Sequence, residues 1–303
     1  MQLFIQQVVN GLISGSSYAV VALGYGLVFS VMRVMNMAHP DVAMLGAYSA
    51  YLVTSVLSVT ILGLPTSLLV LVFLGLLLVG GITGAASGLI LERLVIRPSL
   101  GKAVLVSFIA TAGVGIALEN GITAIFGSLP VQVPSILPTW AIVVAGIRFT
   151  PMELATLVIS LAMMVGLRYY VHGTKWGLAT RAIADRSDVA AACGVNTRTV
   201  SMLTMGISSA MAGVAGVTIA LSQTQASPFM GLALGLKAFV CMLVGGNRHI
   251  EGILAIGLFL GVAEALISGY LSTDYRDAAA FSLMLVVLLV RPNGLFGSYP
   301  TPA

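Results

Sequence analysis

Apolar runs close to membrane-spanning length recur from one end of this sequence to the other, and no stretch between them has the polar composition of a separate soluble domain. A helix needs about 20 predominantly apolar residues to cross the hydrocarbon core of a bilayer. Candidate spans lie at about 8–31, 41–60, 67–91, 103–126, 150–170, 201–222, 230–246, 251–271 and 278–291. Only 8% of residues are charged and the mean hydropathy is +1.06, against about 25% charged in a soluble domain. So few charges cannot cover a water-facing surface. Backbone polar groups in lipid must be satisfied internally, and helices do this within one segment. The expectation is an all-α, polytopic membrane protein forming a single domain over 1–303. It has about 8–10 transmembrane or partly re-entrant helices, some broken, and one short cytoplasmic helix. Segments 230–246 and 278–291 are short enough to be tilted, broken or partly re-entrant.

Lysine and arginine set the expected orientation. With 171–200 placed inside, eleven of the fourteen basic residues fall inside or at an inner helix end; Arg148 and Arg276 fall outside, and Lys237 lies within a span. That asymmetry satisfies the positive-inside rule and puts the C-terminus inside. No basic stripe is interleaved with aromatics, so no nucleic-acid partner is implied. Cys193 and Cys241 match neither a CxxC nor a metal spacing, so neither a disulfide framework nor a metal site is implied. The first segment lacks a basic n-region and a cleavage site and reads as an uncleaved helix. Gly80, Gly84 and Gly88 recur every four residues, as do Gly11 and Gly15. This spacing lets helix backbones approach closely in lipid, although glycine is also common in membrane helices generally.

Three stretches could carry function. In 171–200, the most charged part of the chain, residues about 180–192 predict a short helix ending near Gly194. Arg181, Asp185 and Asp188 would share one face, and Ile183, Ser187, Ala190 and Ala191 the other. Such a helix could dock on a soluble partner or lie on lipid. In 32–48, Asn36, His39 and Asp41 sit between two apolar segments, and Pro40 suits a helix break. No third residue completes a metal set, and breaks of this kind often line a solute path. In 235–266, Lys237 and Glu264 flank the hinge Gly245–Gly246 and the polar turn Asn247–Glu251. A lone charge at hydrocarbon depth is costly, so pairing and a functional role are the default. With the turn near residue 248, the two depths differ by roughly 7–8 Å, within reach of a lysine. Separate capping of broken helices is the other reading. Glu119–Asn120 is a further polar pair, facing a solute path or a packed contact. The chain has no GxxxxGK[ST] phosphate loop and no HExxH, so any ATP hydrolysis belongs to another subunit.

At these residues the chain resembles the LivH-type permeases of branched-chain amino acid ABC importers. The resemblance runs through NGLISGSSYAVVALGYGLVFSVMRVMNMAHPDVAMLGAY, RAIADRSDVAAACGVNTRTV and GLALGLKAFVCMLVGGNRHIEGILAIGLFLGVAEAL, in that order. Met37 stands where the family signature usually has Phe, Pro40 where it has Gly, and Asn247–Arg248–His249 where it is richer in Gly. The resemblance implies a multi-pass permease of the bacterial inner membrane, working by alternating access without a cofactor of its own. Its implied partners are a second permease (LivM-like or a homologous copy), two cytoplasmic ABC ATPases (LivG/LivF-like), a periplasmic substrate-binding protein and the lipid bilayer. It also implies that Arg181, Asp185, Asp188, Ala190, Ala191 and Gly194 belong to the segment that couples to the ATPases. Asn36, His39, Asp41, Lys237, Gly245, Gly246 and Glu264 are candidates for the translocation pathway. Relatives of the same type carry urea and short amides. An ion-coupled secondary transporter is the reading from another class; it would not need a docking helix in the inner connector.

Overall fold

The computed structural model describes residues 1–61, 65–138, 140–144, 146–246, 249–291 and 294–296. Its helices are α1 (Gln2–Met32), α2 (His39–Ile61), α3 (Thr66–Leu91), α4 (Arg97–Ser99), α5 (Val104–Phe126), α6 (Pro151–Gly173), α7 (Lys175–Asp185), α8 (Ser187–Ala192), α9 (Thr197–Gln223), α10 (Met230–Gly245), α11 (Ile250–Tyr270) and α12 (Tyr275–Val290). A π-helical turn, Glu92–Ile96, joins α3 to α4. Each of the nine apolar runs read from the sequence overlaps one of the longer helices. Among the described residues, six helices are long and apolar enough to cross a membrane. α10 and α12 have 16 residues each, about 24 Å of helix against a hydrocarbon core of about 30 Å.

The centre of the bundle is α1, which packs most extensively on α11 and also on α9 and α10; α3 packs on α9 and α2. Two glycine seams set these spacings. A Cβ on Gly11 would lie 2.5 Å from the Cα of Val262, and one on Gly15 would lie 2.7 Å from the carbonyl oxygen of Gly257. From the other side, a Cβ on Gly257 would lie 2.6 Å from that of Ala19. Along α3, Gly80, Gly84 and Gly88 face Gly213, Ser209 and Met205 of α9. The four-residue spacing thus marks two helix contacts tight enough to exclude a methyl group.

The two ends of the bundle differ. At one end, Arg33 donates to the carbonyl of Ala184 at 2.9 Å, Arg168 pairs with Glu251, and Arg97 and Arg198 line a groove with Asp188. At the other end, Gln2 and Gln6 meet Arg148 and its hairpin. That hairpin pairs β2 (Ile142–Val144) with β3 (Ile147–Phe149), and β1 (Val131–Gln132) pairs with β4 (Gln225–Ala226). Pro151 then opens α6, with a reciprocal capping box between Thr150 and Glu153.

Candidate functional site

The α1–α2 break is buried. Arg33 closes α1 in a left-handed conformation, φ 55°, with its N–H on the carbonyl of Phe29. The chain then turns back into the bundle, and Val34, Asn36, Ala38 and His39 are buried. His39 packs against Gly24, where a Cβ would lie 2.6 Å from its Nε2. Nine residues separate Gly24 from Arg33, so α2 starts roughly 13 Å below the end of α1. Tyr25 meets the His39 ring edge-on at 4.8 Å. Thr111 of α5 secures the connector, accepting from the Met37 N–H at 3.0 Å and donating to the carbonyls of Met35 and Ser107. The side-chain amide of Asn36 has no hydrogen-bond partner among the described residues.

Lys237 and Glu264 are brought together. The lysine Nζ lies 3.1 Å from the carboxylate of Glu264, which is 1% exposed. Three residues that the sequence did not tie to this pair complete the cluster. Arg276 Nε donates to Glu264 at 2.7 Å and its Nη2 donates to the Tyr18 hydroxyl at 2.9 Å. Tyr18 donates to Glu264 at 3.0 Å, and Asp277 lies 2.9 Å from Lys237. Two cations and two anions thus tie α1, α10, α11 and α12 together, with Lys237 also 5.3 Å from the Tyr18 ring centre. Arg276, expected on the outer side, opens α12 and reaches back to α11. A cavity of about 270 Å³ adjoins the cluster, lined by Ser14, Ser17, Tyr18, Gln223, Lys237 and Arg276 among others. Gly245 and Gly246 stand apart from it: they end α10, with Gly246 at φ 88°, and let the start of α11 approach at Ile253. Asn247 and Arg248 lie outside the described residues.

The charged connector differs from its expected form. It makes two helices, broken at Arg186 (φ −144°, ψ 97°), where one was expected. The break separates the residues predicted to share a face. Arg181 and Asp185 border a cavity with Leu27, Leu167 and Ile250, whereas Asp188 and Ala191 border a groove with Glu92, Arg97 and Arg198. The small-residue face divides too: Ile183 and Ala190 turn into the core, each 5% exposed, and Ser187 and Ala191 face outward. Ala190 is therefore an internal anchor and presents no surface to a partner. Gly194 does end α8. At φ 85° it supports a Schellman closure in which Gly194 N–H bonds Ala191 and Val195 N–H bonds Ala190, both at 3.0 Å. The exposed surface of α7 carries Trp176 and Leu178, one turn before the expected helix start. Nearby, buried Glu92 holds Arg97 through three contacts of 2.8–3.2 Å, a pairing the sequence reading missed.

A family model described as "Branched-chain amino acid transport system / permease component" matches residues 7–289. The chain belongs to that family. The permease is 35% identical over 300 residues to the high-affinity branched-chain amino acid transport system permease protein LivH of Salmonella typhimurium, covering 97% of this chain and 96% of that protein. It is 34% identical to LivH of Escherichia coli K12, with the same coverage. It is 32% identical to the corresponding permease BraD of Pseudomonas aeruginosa, again over 97% of this chain and 96% of that one. Among solved structures, PsaBC from Streptococcus pneumoniae in complex with Fab matches with a TM-score of 0.48 at 15% identity, covering 95% of this chain and 92% of that chain.

Proposed function

We propose that this chain is the membrane-spanning subunit of an ATP-driven importer that moves branched-chain or other hydrophobic amino acids from periplasm to cytoplasm by alternating access. The observation that carries this reading is the near-complete match, in both chains, to permeases named for branched-chain amino acid transport. The chain performs no hydrolysis itself. Two cytoplasmic ATPases, a second permease and a periplasmic binding protein complete the working assembly in the bacterial inner membrane.

In this reading, 1–303 acts as one domain and the α7–α8 elbow in 171–200 receives the ATPase stroke. Its exposed Arg181, Asp185, Asp188, Ala191 and Gly194, with Trp176 and Leu178 beside them, form the contact. Ile183 and Ala190 transmit movement because they are packed in the core. The buried α1–α2 break with Asn36, His39 and Asp41, and the charge cluster around Lys237 and Glu264, border the solute route. Gly245 and Gly246 supply the turn on which α10 and α11 shift.

The test is ATP hydrolysis by the purified assembly in proteoliposomes, with the binding protein added empty or loaded with leucine. Loaded protein raises hydrolysis several-fold. Leu178→Glu on the exposed elbow removes that stimulation while leaving the assembly intact on gel filtration. Stimulation by urea-loaded but not leucine-loaded binding protein would replace the solute; hydrolysis indifferent to the elbow would remove its coupling role.

A further inference from the structure

A second cavity, of about 350 Å³, lies between the start of α2, α5 and α10. Most of its wall is apolar, from residues such as Met37, Phe108, Ile116 and Leu236, and among the described residues its two charged groups are both acids, Asp41 and Glu119. Among the described residues, neither Lys nor Arg lines it. Asp41 is 5% exposed, and its carboxylate has no hydrogen bond or ion pair among the described residues. Taking a lone carboxylate out of water is costly unless a positive group or a proton joins it.

The surroundings keep that space open. Gly115 of α5 and Gly231 of α10 flank the carboxylate, and a Cβ on either would collide with its oxygens. One turn beyond Gly115, about 6 Å along α5, Glu119 borders the same cavity. Tyr25 adds an aromatic ring to the wall, a surface that favours cations. The mouth is marked by Ile116 and Leu232, each 60% exposed. Among the described residues no three His, Cys, Asp or Glu side chains are grouped to hold a metal ion. Two acids in an apolar pocket suit a monovalent organic cation better than a metal.

We infer that this cavity is an ammonium-recognition site, in which Asp41, supported by Glu119, holds the charged nitrogen of a small primary amine whose aliphatic body lies along Met37, Phe108, Ile116 and Leu236. The inference rests on the importer reading for its physiological ligand: the amine is then the α-ammonium group of the transported amino acid. It assigns that group to α2, α5 and α10, away from the Lys237–Glu264 cluster.

The experiment is calorimetric titration of the purified permease assembly in nanodiscs, without ATP or binding protein. The probes are 3-methylbutan-1-amine, which keeps the nitrogen and aliphatic body of leucine, and 4-methylpentanoate, which keeps the carboxylate instead. The amine binds and the acid does not. Asp41→Asn raises the Kd of the amine at least tenfold, and Glu119→Gln raises it about threefold. Ile116→Trp at the mouth abolishes binding with Asp41 intact, so a folding defect in the Asp41 variant does not decide the result. Equal amine binding by wild type, Asp41→Asn and Ile116→Trp overturns the site, as does preference for the acid or no amine binding to wild type. ATP-driven leucine uptake on the same preparation separates the two claims. Uptake without Asp41-dependent amine binding leaves the importer and removes the site, whereas Asp41-dependent amine binding without uptake of any amino acid keeps the site and removes the importer reading.

Discussion

Replacing Glu264 by Gln removes the anion on which Lys237, Arg276 and Tyr18 converge. The carboxylate is 1% exposed and receives donors at 2.7–3.1 Å. Breaking a buried pair by removing one partner typically costs about 3–5 kcal/mol, because the other charge stays buried and uncompensated. Here the Arg276 side chain is 35% exposed, so water screens part of its loss and the lower end of that range applies. Lys237→Met is milder, at about 1–2 kcal/mol, because Glu264 keeps Arg276 and Tyr18 and the released Asp277 is largely in water. The double variant recovers part of the Glu264 loss, with a coupling of about 1–3 kcal/mol expected for residues in contact. The assay is thermal unfolding of the purified assembly in detergent, read from intrinsic fluorescence for all four members of the cycle. Losses of equal size in the two single variants that simply add in the double would refute the reasoning.

Other expectations follow from packing and backbone geometry. Gly84→Leu separates α3 from α9, because the glycine meets the Ser209 carbonyl and Gly213; the folded yield falls sharply on fluorescence-detected gel filtration, while Gly75→Leu, which has nothing within 4 Å, leaves it unchanged. Arg97→Ala strands buried Glu92 and costs about 3 kcal/mol, seen as a lower melting temperature that Glu92→Gln in the same chain partly restores. Gly194→Val forces a β-branched residue to φ 85° and destabilises the elbow by about 1–2 kcal/mol, measured as faster hydrogen exchange confined to 187–195.

The helices were legible because most apolar runs are long and several boundaries carry ordinary signals: Pro40 near the start of α2, Pro151 opening α6, and Gly194 closing the short α8. The glycine seams were legible because a four-residue period puts Gly80, Gly84 and Gly88 on one helix face. Lys237 and Glu264 stood out because a charge inside an apolar run demands a partner. Arg276 and Tyr18 did not, since one opens a helix and the other sits in an otherwise ordinary first span. Their meeting depends on how α12 folds back on α1 and α11, which no local pattern encodes. The break at Arg186 was hidden for a similar reason. Neither Gly nor Pro marks it, and the turn follows from burying Ile183 and Ala190 on different helices. At Glu119 the sequence offered only a polar pair; that it borders the same cavity as Asp41 emerges from the packing of α5 against α2.

Inward transport of aliphatic amino acids under ATP control is tested by radiolabelled leucine uptake into proteoliposomes containing the permease, its partner permease and the ATPases, with ATP on the ATPase face and the binding protein on the other. Leucine accumulates only with both ATP and the binding protein, and urea is not accumulated in its place. Uptake driven by an ion gradient without the ATPases would overturn the importer reading.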